Sequence, residues 1–370
     1  MIHAIPARIR RVSKNDANRL SSNGEQNKTQ KSLFDRFGRM SSALFVSVIV
    51  PVHNARQHLV RCITAINDST YRAYEVIVVD DASTDGSAEA AEAQAARVLR
   101  QDRQGGPAAA RNYGAKVSRG DVLLFVDADV SIRADTLLRV VEDFTTMPDI
   151  AAVFGSYDDE PAAKNFLSQY KNLCHHFVHQ HARSDATTFW AGCGAVRREV
   201  FIELGGFDDK RYRHPSIEDI ELGYRMRAKG QRIYLDKELQ VKHLKKWDLI
   251  GLLRADICLR AVPWTELILK SGHMPNDLNL HWSQKLSAGL VIMLSTALLL
   301  ACVRIQFLFL TPILAGTVCL LNHRLYRFLI ERRGLGFALR SVPMQFFYYC
   351  YGSVVFAALW LRERLQTIMR

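Results

Sequence analysis

The chain has no CxxC pair, and its cysteines, at 62, 174, 193, 258, 302, 319 and 350, follow no regular spacing. That excludes a zinc ribbon and a disulfide framework, and it reads as free thiols in a reduced compartment. No Cys/His finger and no repeated basic–aromatic pattern is present, so nothing supports nucleic-acid binding. The first 40 residues hold basic charge without an apolar core of signal-peptide length, and no cleaved export signal is expected. What is abundant is positive charge. Lys and Arg number 49 against 37 Asp and Glu, a net +12 over 370 residues. The basic residues gather in the first 40 positions, over 229–246 and over 324–340. Basic stretches beside apolar ones point to an anionic membrane surface.

Residues 1–43 read as a disordered basic segment. From 44, short apolar runs alternate with helical patterns. Strands are expected at 45–52, 74–81, 97–99 and 121–127, with helices over about 55–68, 86–95 and 107–118. Near-continuous apolar strands separated by helices indicate an α/β sheet covered on both faces, and such sheets bind ligands at the carboxyl ends of their strands. Residues 165–178 form an amphipathic helix that suits the core or the membrane interface equally. Residues 248–284 are expected to lie in the interface. The stretches 286–303, 307–322 and 341–361 carry no charge. Each approaches the roughly 20 apolar residues needed to span a bilayer. The charge bias of the flanking segments orients the array with the domain 44–247 in the cytoplasm, at the inner cell membrane. A third crossing would place Arg362, Arg364 and Arg370 outside, against that bias.

Four acidic residues fall at strand ends: Asp80, Asp81, Asp127 and Asp129. Asp127 and Asp129 share one face of a strand end, where a divalent cation relieves their repulsion. Ser83, Thr84 and Asp85 suffice to cap the following helix, which leaves Asp80 and Asp81 spare for a base or ribose. Gly105 and Gly106 permit close backbone approach before a helix N-terminus suited to phosphate, and Arg111 can reach a phosphate or the acidic cluster.

These motifs together resemble glycosyltransferase family 2. Val48–Asn54, including Pro51, His53 and Asn54, looks like its opening strand. Val79–Ser87, Gly105–Asn112, Phe125–Asp129 and Glu218–Arg225 look like its later signatures, in order. The resemblance implies a GT-A fold with a mixed sheet, helices on both faces and C-terminal transmembrane helices. It implies an inverting transfer of one sugar from a nucleotide-diphosphate sugar with Mg²⁺ or Mn²⁺. Asp219 is then the base, with Glu218 and Glu221 beside it. Asp127 and Asp129 hold the metal, Asp127 being nearer the ribose. His243 is either a third ligand or part of a basic loop whose Lys245 and Lys246 hold the diphosphate. Trp190, Gly192 and Cys193 fall on the acceptor side. His53 stands where Tyr is frequent, and Ala82 where Gly is. No Gln-x-x-Arg-Trp signature is present, which favours single-sugar transfer over a polymer channel. The expected acceptor is a hydroxyl of a lipid-linked saccharide or glycolipid of the cell envelope. Alternatives are transfer to a polyprenyl phosphate, which needs no strong base, and a noncatalytic nucleotide-binding membrane scaffold.

Overall fold

The computed structural model describes residues 44–94 and 96–369. The expected disorder of 1–43 lies outside them. In chain order the elements are β1 (Val46–Val52), α1 (Arg56–Asn67), β2 (Tyr74–Asp80), α2 (Ser87–Glu92), β3 (Arg97–Arg100), α3 (Pro107–Val117), β4 (Val122–Val126), β5 (Val130–Ser131), α4 (Thr136–Thr146) and β6 (Ile150–Tyr157). There follow α5 (Phe166–His181), β7 (Asp185–Ala186), β8 (Cys193–Arg197), α6 (Arg198–Glu203), α7 (Glu218–Ala228) and β9 (Arg232–His243). The C-terminal part holds α8 (Leu249–Asp256), a π turn (Ile257–Ala261), α9 (Val262–Ser271), α10 (Trp282–Ala301), α11 (Leu310–Leu321), α12 (His323–Arg333) and α13 (Leu335–Ile368).

The sheet runs β3-β2-β1-β4-β8-β6-β9-β5, with β7 also on β9. Side chains alternate across it, as strand geometry requires. Val46, Val48, Val50 and Val52 enter one core layer with Leu124 and Val126. Ile49 enters the other with Leu123 and Phe125. Strands β1 to β4 are mutually parallel where they pair, whereas β8 is antiparallel to both β4 and β6. The chain builds outward from β1 to β3 and then returns to place β4 on the other side of β1. The carboxyl ends of β1 and β4 therefore flank a topological switch point, where α/β sheets open a crevice. Pro51 lies beyond the last β1–β4 partner pair, Ile49 with Phe125, so its missing N–H costs the β4 ladder nothing.

The expected helix over 86–95 is shorter, Ser87–Glu92. Helix α5 packs on β6 and β9 and buries Tyr170, Leu173, His176 and His179, so the core claims it rather than the membrane. The segment 248–271 leaves Leu249 and Ile250 exposed but docks on α7 through Trp264 and Leu267, which meet Tyr212, Ile217 and Tyr224.

Among the described residues, two helices are long and apolar enough to cross a membrane, α10 and α13. The stretch 307–322 is not one straight span. It divides into a 3₁₀ segment, Ile305–Phe309, and α11, whose 12 residues reach only about 18 Å. It reaches spanning length only together with α12, across a 67° bend. The basic stretch after 322, expected as a loop, is the helix α12. Its Leu325 and Leu329 pack on Leu173 of α5, so it lies on the α/β domain.

Candidate functional site

At the carboxyl end of β1, Asn54 adopts a left-handed conformation with φ 51°. Its side-chain oxygen accepts from the Thr84 amide at 2.8 Å, and Ser83 Oγ accepts from the Asn54 amide. His53 Nδ1 lies 2.7 Å from the Asp81 carbonyl. These bonds close the end of β1 against the end of β2. Asp80 is buried and accepts from the Ser83 amide at 3.3 Å. Asp81 is not spare. Its two oxygens accept from the amides of Gly105 at 2.7 Å and Gly106 at 2.9 Å. The glycine turn is thus anchored on β2 by a carboxylate that sequence reasoning had assigned to a nucleotide. Gly106, with φ 85°, also passes so close to the 213–214 backbone that a Cβ would fall 2.3 Å from the Arg213 carbonyl oxygen.

Helix α3 then delivers Arg111 into the interior. Its guanidinium donates to Asp127 Oδ1 and to Glu218 Oε1, each at 2.7 Å, and lies over the Phe207 ring. Burial works against its charge, but Asp127, Glu218 and Asp219 hold it ionised. Arg111 therefore serves the acidic cluster and has little left for a phosphate.

Asp127 and Asp129 leave β4 with side chains 32% and 24% exposed. Burial pushes Asp127 upward, opposed by Arg111 and reinforced by Asp129. Burial acts the same way on Asp129, but His243, Lys245 and His58 outweigh it and lower that carboxyl. The short strand β5 pairs Val130 with His243 of β9. That pairing sets His243 Nε2 3.7 Å from Asp129 Oδ2. Among the described residues, no three acidic, His or Cys side chains already close into a metal cage. Two partly exposed carboxylates at a crevice still suit Mg²⁺ or Mn²⁺, which commonly take one or two protein carboxylates and complete their shell with phosphate and water. Lys245 is exposed and lies over the Trp247 ring.

The two residues leading into β8 connect this end of the site to the second acidic segment. The Asp127 amide donates to the Gly192 carbonyl at 3.1 Å. The preceding residue, Ala191, donates its amide to Asp219 Oδ2 at 3.0 Å. Asp219 Oδ1 also accepts from the Ile220 amide at 2.8 Å. Burial, reinforced by the Glu218 charge, pushes Asp219 up to about 6. Glu218 is differently placed. Besides Arg111 it accepts from the Ser216 amide at 2.9 Å, so both its oxygens are engaged. Glu221 pairs with Arg225, which in turn donates to the carbonyls of Leu204 and Gly206. Both glutamates thus have their oxygens committed to cations or amides around Asp219.

Trp190 stands beside Tyr157, 4.8 Å between ring centroids. Gly192 is obligatory there, since a Cβ would fall 2.3 Å from the Trp190 ring. Cys193 points away into the sheet core, fully buried, and has no place on an acceptor surface. Sequence reasoning missed Tyr157 and His175. Tyr157 stacks on His243 at 4.3 Å and meets His175 at 4.5 Å. His175 Nδ1 has no hydrogen-bond partner among the described residues. Burial and then His179 hold His175 neutral, well below the usual imidazole range. The available signal was His175 and His179 at i, i+4, one face of a helix.

Residues 47–205 match the glycosyl transferase family 2 model. The glycosyltransferase GlyG of Streptococcus pneumoniae is 37% identical over 120 residues, 30% of this chain and 38% of that protein. The glycosyltransferase AglE of Haloferax volcanii is 41% identical over 110 residues, 28% of this chain and 36% of that protein. The match thus spans little more than a third of either relative. A mannosyltransferase from Pyrobaculum calidifontis, solved with GDP-Man and Mn²⁺, superposes over 86% of this chain and 88% of its own, with TM-score 0.54 and 18% identity. The chain carries a glycosyltransferase family 2 domain on a GT-A-type mixed α/β sheet, followed by candidate membrane-spanning helices.

Proposed function

We propose that the protein is an inverting, metal-dependent glycosyltransferase that moves one sugar from a nucleotide-diphosphate donor to a hydroxyl of a lipid-linked acceptor. The observation that carries this reading is Asp219. It is a carboxylate near pKa 6, held by the amides of Ala191 and Ile220, one peptide from the carbonyl that fixes Asp127. Inversion is a single displacement and needs one base facing the acceptor. A carboxylate titrating near 6 is ionised at neutral pH and basic enough to take a hydroxyl proton as the bond forms.

In this reading Asp80 and the 53–54 turn receive the nucleoside. Asp127 and Asp129 hold Mg²⁺ or Mn²⁺, with His243 beside them. The metal, when bound, offsets charge on the departing diphosphate. Arg111 keeps the donor carboxylate and Glu218 at a fixed separation. Trp190 and Tyr157 offer ring faces to the acceptor. The curated relatives are glycosyltransferases, and the Pyrobaculum enzyme was solved with a nucleotide sugar and Mn²⁺, which support the donor class.

The proposed setting is the cytoplasmic face of the inner membrane. Helix α10 leaves the domain and the bent pair returns, which keeps the basic α12 beside the catalytic domain, in keeping with the charge bias. A second reading, transfer to a polyprenyl phosphate, is favoured by Lys171 and Arg260. Both ion-pair with Asp256 and act on His175 at the acceptor side. Incubating the purified full chain with a panel of nucleotide sugars, with Mn²⁺ or with EDTA, tests the first reading. Metal-dependent release of nucleoside diphosphate is expected. No turnover of any donor and no nucleotide binding would instead favour a noncatalytic scaffold. Transfer that survives Asp219→Asn would favour the phosphate acceptor.

A further inference from the structure

Away from the catalytic crevice, a cavity of about 340 Å³ opens between the start of α5, the 160–164 segment and the α12–α13 corner. Phe166 and Phe337 form its apolar wall, with ring centroids 5.0 Å apart. Three cations surround it. Arg333 is fixed by Gln169 Oε1 at 2.7 Å and the Asp159 carbonyl at 2.6 Å, and it ion-pairs with Glu160 at 3.3 Å. Among the described residues Lys164 ion-pairs only with Glu160, at 3.9 Å, with its side chain 78% exposed. Arg340 lies 4.4 Å over the Phe166 ring and has no carboxylate partner among the described residues. One carboxylate therefore faces three cations. The cavity sits at the first turns of α13, one of the helices long and apolar enough to cross a membrane. Beside Arg340, Leu335 and Leu339 are 60% and 61% exposed.

We infer that this cavity binds the headgroup of an anionic glycerophospholipid of the host membrane. Arg340 and Lys164 receive the phosphate, since an unpaired guanidinium is a geometric match for its oxygens. Phe166 and Phe337 cover the glycerol, and the acyl chains run along Leu335 and Leu339. The lipid clamps the α12–α13 corner onto α5, the helix that also carries His175 beside the crevice. This site does not depend on the transfer reaction proposed above.

The test is thermal unfolding of the purified full chain in detergent, with dioctanoyl-phosphatidylglycerol, dioctanoyl-phosphatidylcholine or inorganic phosphate added. A ligand that binds only the folded state raises its stability. Phosphatidylglycerol is expected to raise Tm, and the other two are not. Arg340→Ala is expected to remove more than half of that shift, whereas Arg324→Ala, exposed on α12, leaves it intact. Equal shifts with both lipids, or an equal shift with phosphate, would overturn the inference, as would a full shift in Arg340→Ala. Should Arg340→Ala fail to accumulate folded, Lys164→Ala at an exposed position serves instead. An undiminished shift there is equally fatal.

Discussion

Arg111 donates to Asp127 across 2.7 Å, and this contact ties the acidic end of β4 to helix α3. The same guanidinium reaches Glu218 at 2.7 Å, so two carboxylates far apart in sequence are held by one buried cation. Removing one partner of a buried ion pair typically costs about 3–5 kcal/mol, because the other charge is left uncompensated. Arg111→Ala is therefore expected to destabilise the domain by that order. Arg111→Lys, a single point charge without the fork, should be less stable than the native protein and bind nucleotide more weakly. Denaturant unfolding and nucleotide titration measure both; an unaltered Arg111→Ala would refute the bridging role.

Asp219 yields a pH dependence whose sign follows from its raised pKa of about 6. For catalysis the carboxylate must be ionised, so kcat/KM should climb as pH rises through about 6 and level off above it. Asp219→Asn should lose transfer while retaining donor binding. For stability the sign is opposite. The folded state holds this proton more tightly than the unfolded chain, so folding loses stability as pH rises between about 4 and 6. Asp219→Asn should accordingly raise Tm at pH 7 and change it little at pH 4. A Tm that falls at pH 7 would contradict the burial argument.

Ala82 occupies a left-handed backbone position with φ 57°. For a residue with a Cβ this conformation costs roughly 1–2 kcal/mol. Ala82→Gly is expected to relieve part of it and stabilise the domain by up to about 1 kcal/mol, the flexibility that glycine adds to the unfolded chain offsetting the rest. Equilibrium unfolding of the pair checks the sign.

The side of the membrane on which α13 ends is open to a direct measurement. Arg362 ion-pairs with Glu266 of α9 at 3.1 Å. Its neighbour Leu267 packs on Tyr212 and Ile217 of the catalytic domain. At the other end of α13, Phe337 meets Phe166 of α5. With both ends tied to the domain, α13 is expected to lie along it rather than to cross, and its end to stay on the domain's side of the membrane. A Gln366→Cys variant, with exposed Cys258 and Cys302 replaced by serine, should react with an impermeant maleimide only after cells are permeabilised. Labelling in intact cells would put that end across the membrane.

Much of this was legible from local pattern. The apolar runs of β1, β2 and β4 required a sheet buried on both faces, and the acidic residues directly after β2 and β4 required that carboxylates collect at one edge. Fully apolar stretches after 285 required an apolar environment. None of these conclusions needs knowledge of which strand lies beside which. The function of Asp81, by contrast, depends on the glycine turn arriving at hydrogen-bond distance from a strand 25 positions away. The place of His243 depends on β5, a strand of two residues with no periodicity to detect.

By itself the sequence determined the apolar faces of the central strands, where charge collects and the order of the family-like motifs, because periodicity and composition act locally. Only the tertiary structure decided that Arg111 serves carboxylates, that Cys193 faces the core, that the chain bends after 321 to lay α12 on the domain and that Tyr157 and His175 gather beside Trp190 and His243. Those outcomes turn on distances between side chains remote in sequence, and hydrogen bonds and ion pairs act only within a few ångströms.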